Sequence, residues 1–201
     1  KIESFKMMSA AFPNAQGRLL ALVRVMRFDD RFFFETEEAT HEKVFQNLFR
    51  FTFAGDFFVE DLSEKYSYFS IIGQPSLNFQ YLIPTDDKII WAKFGNDEGF
   101  MIRPMRGEGF DAFVPKNSEE IFTDYLKDTK FAEISDELYE VLRIENGIPL
   151  YGVDADETTI VSELGIENLI SYNKGCYIGQ EIIARIYFRG HVAKQLKGLV
   201  L

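Results

Sequence analysis

The segment KGCYIGQE, residues 174–181, holds the only cysteine of the chain, preceded by Gly175 and followed by Gly179. What a thiol can do depends on how much of it is thiolate. Downstream, Ile182, Ile183 and Ile186 form an apolar stripe and Glu181 with Arg185 makes an i,i+4 pair, which predicts a helix starting near Gly179. Cys176 then lies just before a helix N-terminus and two residues from Lys174, and both features favour the thiolate and lower the pKa of a thiol. Exposed in that setting, it is a nucleophile, a redox group or a ligand. Buried, it is a small inert apolar residue, as free cysteines usually are, and spacing alone leaves both readings open. The neighbouring glycines permit close backbone approach by a ligand or another segment.

Glu145 is the second candidate. In SDELYEVLRIENGIP, Ser135 is placed to cap a helix, Asp136 and Glu137 suit its positive end, Gly147 fits the position just past its C-terminus, and Pro149 prevents continuation. Leu138, Leu142 and Glu145 fall at i, i+4, i+7, so the carboxylate shares the face expected to point into the core. A carboxylate there needs a partner. It is either in a salt bridge or capping role, or it accepts the N–H groups of a buried heterocycle.

Several chemistries are excluded by what is missing. His41 and His191 are far apart in sequence, so no Cys/His zinc spacing exists and no metal site is expected. No nucleophile-elbow, phosphate-loop or dinucleotide glycine pattern occurs, and one cysteine cannot supply the thiolates an iron–sulfur cluster usually takes. The net charge of −10 repels phosphate backbones, which argues against direct binding of nucleic acid. Basic residues still gather locally in Arg18/Arg24/Arg27 and in Lys174/Arg185/Arg189/Lys194/Lys197, which leaves room for a small anionic ligand. No apolar run is long enough to cross a bilayer, so no membrane partner is expected. A lone cysteine fits a reducing compartment, the cytoplasm or an organelle matrix, with cytoplasmic as the default. The start at Lys1 and the closing LKGLVL, which reads as a strand cut part-way, suggest that both ends are trimmed.

These residues need a scaffold, and 201 residues with 46% hydrophobic content and 21 phenylalanines suffice for one. GRLLALVRVMRFDDRFFFE reads as a hairpin turning at Asp29-Asp30. Thr40 is placed to cap a helix carrying Val44, Phe45, Leu48 and Phe49 on one face. From Ser67 the pattern runs SYFSIIG (strand), PSLNFQYL (short helix), KIIWAKF (strand), GNDEG (turn), then FMIRP and FDAFV (strands). A helix capped by Ser118, with Ile121, Phe122, Tyr125 and Leu126 on its apolar face, and a closing strand KFAEIS complete it. That order is a split βαβ, or ferredoxin-like, unit at about residues 62–130, inserted without a linker.

NKGCYIGQEIIARIYFRG resembles the signature of the YgfZ family of folate-binding proteins, K-G-C-[FY]-x-G-Q-E followed by A-R and a glycine. RIENGIPLYGVD is similar to the R-x-E-x-G-x-P segment that YgfZ proteins share with the glycine-cleavage T-protein, and FPNAQGRLLALVRVMR to the early D/N-x-x-G-R strand of both. Together these segments span nearly the whole chain in the family's order. Thr159 and Val161 depart from it, standing where the family often has a proline-led loop.

The resemblance implies an α+β fold: an aminomethyltransferase (T-protein)-like folate-binding domain, here residues 1–61 and 131–198, interrupted by the ferredoxin-like unit at 62–130. A C-terminal β-barrel would follow, and this chain stops before it. The function implied is tetrahydrofolate binding in support of assembly or repair of iron–sulfur enzymes, including those that modify tRNA, with such enzymes or assembly proteins as partners. By position Glu145 matches the pterin-binding glutamate, Tyr139 an aromatic residue set against folate, and Cys176 the family's functional, catalytic thiol. Lys174 and Arg185 complete the candidate cofactor-binding set. The alternative is a folate-dependent aminomethyltransferase of the glycine cleavage system. The T-protein pattern carries acidic residues soon after the glycine of its first strand; Ala21 and Leu22 stand there in this chain, and neither can move a proton. The T-protein pattern also lacks the octapeptide cysteine, so a non-enzymatic helper is expected, with an empty interaction scaffold as a third reading.

Overall fold

Turns and strand-forming residues set the order of elements. A computed structural model describes residues 2–73 and 83–198. Along these residues run β1 (Lys6–Pro13), β2 (Leu19–Phe28), β3 (Arg31–Thr36), α1 (Glu38–Phe49), β4 (Tyr66–Ile72), β5 (Ile90–Phe94), β6 (Asp97–Ile102), β7 (Gly109–Pro115), α2 (Glu119–Asp128), α3 (Asp136–Glu145) and α4 (Gln180–Arg189). The strands form two sheets, ordered β1-β2-β3 and β4-β7-β6-β5, so the fold is mixed α+β. The expected hairpin is present, turning at Asp29-Asp30 with Asp29 in the left-handed conformation that a short polar side chain tolerates. β1 has no counterpart in the sequence reading, because MMSAAF offers little alternation and few branched residues.

The chain divides into two compact units, residues 1–8, 26–33 and 60–146, and residues 9–25, 34–59 and 147–201. In the first, every neighbouring pair in the four-stranded sheet is antiparallel. Period-2 alternation gives that sheet two apolar faces. Ile71, Phe94, Met101, Phe110, Ala112 and Val114 pack with Phe122 of α2. Phe100 and Ile102 pack with Met7, Met26, Phe28 and Ile89. The ring of Phe122 meets Phe69 and Phe94 edge-on at 5.1 Å, the geometry ring quadrupoles prefer.

Four expectations change in this unit. KFAEIS is not a strand: the Phe131 amide closes α2 by donating to the Leu126 carbonyl, and the segment leaves as a connector with Ile134 exposed. β4 lies at a sheet edge beside the last strand, β7, whereas a split βαβ order keeps its first strand inside the sheet. Ser118 does precede α2, but its hydroxyl donates to the Phe94 carbonyl (2.7 Å) and Asp97 Oδ2 (3.0 Å) instead of serving the helix. On α2, Phe122 is buried while Ile121 and Tyr125 are exposed. The expected helix PSLNFQYL lies outside the described residues.

In the second unit α1 starts three residues before the position that a Thr40 cap requires. Glu37 is the N-cap residue, and Thr40 is fully buried in the first turn, its hydroxyl against Thr36 Oγ1 and the Glu37 carbonyl. Val44 is buried, Phe45 and Leu48 are half-buried, and Phe49 is exposed, so the expected apolar face is only partly covered. The 158–161 strip lies along the start of β2: Leu19 N–H donates to the Thr159 carbonyl, Val161 N–H to Gly17, and Arg18 Nη1 to Thr158.

Candidate functional site

The candidate residues fall in both units, Tyr139 and Glu145 on α3 in the first, Lys174, Cys176 and Arg185 in the second. α3 forms where the sequence placed it, with the Ser135 hydroxyl accepting from the Leu138 amide at 3.3 Å and Gly147 in the left-handed conformation after the helix. Ser135 also bonds Glu137, holding that carboxyl below its usual range.

The face of α3 is not the expected one. Glu145 is exposed and Leu138 is 46% exposed, while the one buried residue of the helix is Arg143. Arg143 Nε donates to Glu140 Oε2 at 2.8 Å. The cause is visible in the sequence: Leu138, Tyr139, Val141, Leu142 and Ile144 are apolar nearly all round the helix, so the period could not single out one stripe. Among the described residues the exposed Glu145 carboxylate has no ion pair or hydrogen bond. Tyr139 is 39% exposed and lies about 120° around the helix from Glu145, six residues at about 100° each.

At the octapeptide, α4 begins at Gln180 with Gly179 as its N-cap at φ 81°, and Ile183 is buried between half-buried Ile182 and Ile186. Cys176 is exposed, so the inert, buried reading fails. Lys174 Nζ stands 4.6 Å over the ring of Tyr177, a cation–π contact that leaves the ammonium close to the thiol in sequence and open to solvent. The Tyr177 hydroxyl is buried without a hydrogen-bond partner among the described residues, and burial, then Tyr172, push its pKa up. Tyr172 stacks on Tyr187 at 3.8 Å, and burial raises its pKa too, so both phenols stay protonated at neutral pH. Arg185 pairs with Glu181 at 2.8 Å as the i,i+4 spacing required, both side chains exposed.

Gly179 explains how this loop is held. A Cβ there would come closer than 3.0 Å to the Asn14 carbonyl oxygen and 3.1 Å to Gly17 Cα, so the backbone of NAQG and the start of α4 are in direct apposition. Two segments far apart in sequence, FPNAQGR and GCYIGQE, therefore meet. Sequence reasoning missed Asn14 and Arg143 as supports, although both lie inside the motif segments it quoted. Ala21 and Leu22 are buried on β2, apolar where acid–base groups would be needed. A surface hollow along α2, lined by Lys116, Glu119, Glu120, Asp124 and Lys127, holds none of the candidate residues. Among the described residues no cluster of three or more His, Cys, Asp or Glu could hold a metal ion, and no helix is long and apolar enough to cross a membrane.

The geometry is a mixed α+β fold with an exposed cysteine before a glycine-started helix, and comparison with known proteins adds to it. No family model matches the chain. It is 22% identical over 177 residues to an iron-sulfur cluster assembly factor IBA57 homolog, mitochondrial, of Dictyostelium discoideum, covering 86% of this chain and 41% of that protein. It is 33% identical over 95 residues to an aminomethyltransferase of Aquifex aeolicus, 47% of this chain and 25% of the relative. Over 52 residues it is 46% identical to the tRNA-modifying protein YgfZ of Blochmanniella pennsylvanica, 25% of this chain and 16% of the relative. The chain spans less than half the length of these curated relatives. At modest identity and over part of their length, the chain is similar to proteins of the IBA57, YgfZ and aminomethyltransferase kinds.

Proposed function

We propose that this chain is part of a tetrahydrofolate-binding accessory protein that supports assembly or repair of iron–sulfur enzymes and, through them, tRNA modification. The observation that carries the reading is the Glu145 carboxylate, exposed at the end of α3 with no protein partner among the described residues. An ionised carboxylate only accepts hydrogen bonds, and a reduced pterin presents adjacent N–H donors, so the donor and acceptor sets fit. On the same helix Tyr139 would offer a ring to the heterocycle; Lys174 and Arg185 are proposed separately, within the second unit, as positive charges for an anionic group of the cofactor. Bound tetrahydrofolate would supply one-carbon chemistry. The names of the Dictyostelium and Blochmanniella relatives support the iron–sulfur and tRNA sides of the proposal. The architecture proposed is a folate-binding body, residues 1–61 and 131–198, interrupted by the unit at 62–130. The proposed partners are iron–sulfur clients or assembly proteins, without direct contact to nucleic acid or membrane. The compartment proposed is a reducing one, cytoplasmic by default, with an organelle matrix favoured if the mitochondrial name of the Dictyostelium relative applies.

Isothermal titration with tetrahydrofolate tests this. Glu145→Gln should weaken binding by about 1–3 kcal/mol, the usual loss for a hydrogen bond to a charged group. Its thermal midpoint should not move, because no protein group leans on the carboxylate. Equal affinity in the two proteins would remove Glu145 from the site, and no binding to the native chain would leave the empty-scaffold reading.

The Aquifex relative keeps an aminomethyltransferase in competition. With Ala21 and Leu22 buried and unable to exchange protons, no transfer of an aminomethyl group to tetrahydrofolate is expected. Turnover above a no-protein control would overturn the helper reading.

A further inference from the structure

We infer that the Asn14–Arg18 turn is the platform that positions the Cys176 loop, and that Asn14 is its positioning residue; this rests on the reading of Cys176 as the functional thiol. Asn14 Oδ1 accepts from both the Gln16 amide (2.9 Å) and the Arg18 amide (3.0 Å), and its carbonyl accepts from Gly17 N–H at 3.0 Å. Its own amide donates to the Arg18 carbonyl at 2.9 Å. One side chain and one peptide thus fix every peptide orientation in the turn.

The turn is pressed against the start of α4. A Cβ on Gly17 would lie 3.2 Å from Ile183 Cγ1 and 3.4 Å from Ile182, and Gly179 meets the Asn14 carbonyl and Gly17. On the other side of the thiol the tie is the Tyr172 ring, stacked on Tyr187 of α4 at 3.8 Å; between it and the thiol residues 173–176 are exposed, and a Cβ on Gly175 would meet no atom within 4 Å. The loop is thus held at Tyr172 and at Gly179, and the Gly179 anchor is the nearer to Cys176, joined to it through the Gln180 amide to Tyr177 carbonyl bond (3.2 Å). Loss of the two bonds at Asn14 Oδ1 frees the turn and with it the anchor.

Because Cys176 is the sole cysteine, a nitroxide attached to it reports this loop alone. In Asn14→Ala the label should become more mobile, its central line narrowing and any immobilised component disappearing, with far-ultraviolet circular dichroism unchanged. Asn14→Asp keeps an Oδ1 acceptor in the same place and should restore the native spectrum, which a merely general destabilisation would not do. If Asn14→Ala does not accumulate as folded protein, Asn14→Ser, with a shorter-reaching acceptor, is measured instead and should show the same mobilisation. A native spectrum in a folded Asn14→Ala or Asn14→Ser protein overturns the inference. Failure of the underlying reading shows separately, as full function of Cys176→Ser in cells.

Discussion

Gly179→Ala should destabilise the protein by about 2–5 kcal/mol, the largest effect expected of any single methyl in the octapeptide. Two costs act together. At φ 81° an L side chain is left-handed, which costs roughly 1–2 kcal/mol. The new methyl would also press on the Asn14 carbonyl and Gly17 Cα, backbone atoms that cannot rotate away as a side chain would, and overpacking of that kind costs about 1–3 kcal/mol. Gly175→Ala, four residues earlier, meets nothing within 4 Å and should stay within about 0.5 kcal/mol of the native protein. Urea melts followed by circular dichroism measure both. Equal midpoints for the two variants would mean that Gly179 can move off the Asn14 turn at no cost, and the apposition of the two segments would lose its energetic meaning.

The contrast between those glycines also shows what could be read from sequence. That a helix starts at the second glycine was legible, since an isoleucine stripe and a Glu181–Arg185 pair both specify it and agree. What the glycine touches was not, because a turn near the other end of the chain leaves no trace in local spacing. α3 fails for a different reason. Its caps are local chemistry and were found, whereas its buried face depends on tertiary packing, and a helix apolar on most sides presents several equivalent stripes. Arg143, the residue actually buried, is charged and so invisible to a hydrophobic period; its Glu140 partner one turn back offsets the cost of burying it. The same limit explains Thr40 and Ser118. Both are good caps by type, but the Thr40 hydroxyl bonds within the first turn and the Ser118 hydroxyl bonds the 94–97 turn. For the candidate site, motif positions carried the residue identities, and the structure supplied the exposure of Cys176 and of Glu145.

Cys176→Ser should leave the fold intact and abolish support of iron–sulfur enzymes in cells. Stability should change by no more than about 0.5 kcal/mol, since the side chain is exposed and fills no core volume. Serine matches the cysteine in size and can donate a hydrogen bond, but its hydroxyl is neither a soft nucleophile nor appreciably ionised near neutral pH. The variant therefore separates chemistry from packing. The native protein should react with iodoacetamide without unfolding, at a rate that denaturant raises only modestly, because the sulfur is already in solvent. Complementation of cells lacking the protein, read through the activity of their iron–sulfur enzymes, should fail with serine at 176 and succeed with Gly175→Ala, which alters the same loop while keeping the thiol. Full complementation by the serine variant would reduce Cys176 to a tolerated surface residue. The proposed role would then rest on the proposed folate contact of Glu145 alone.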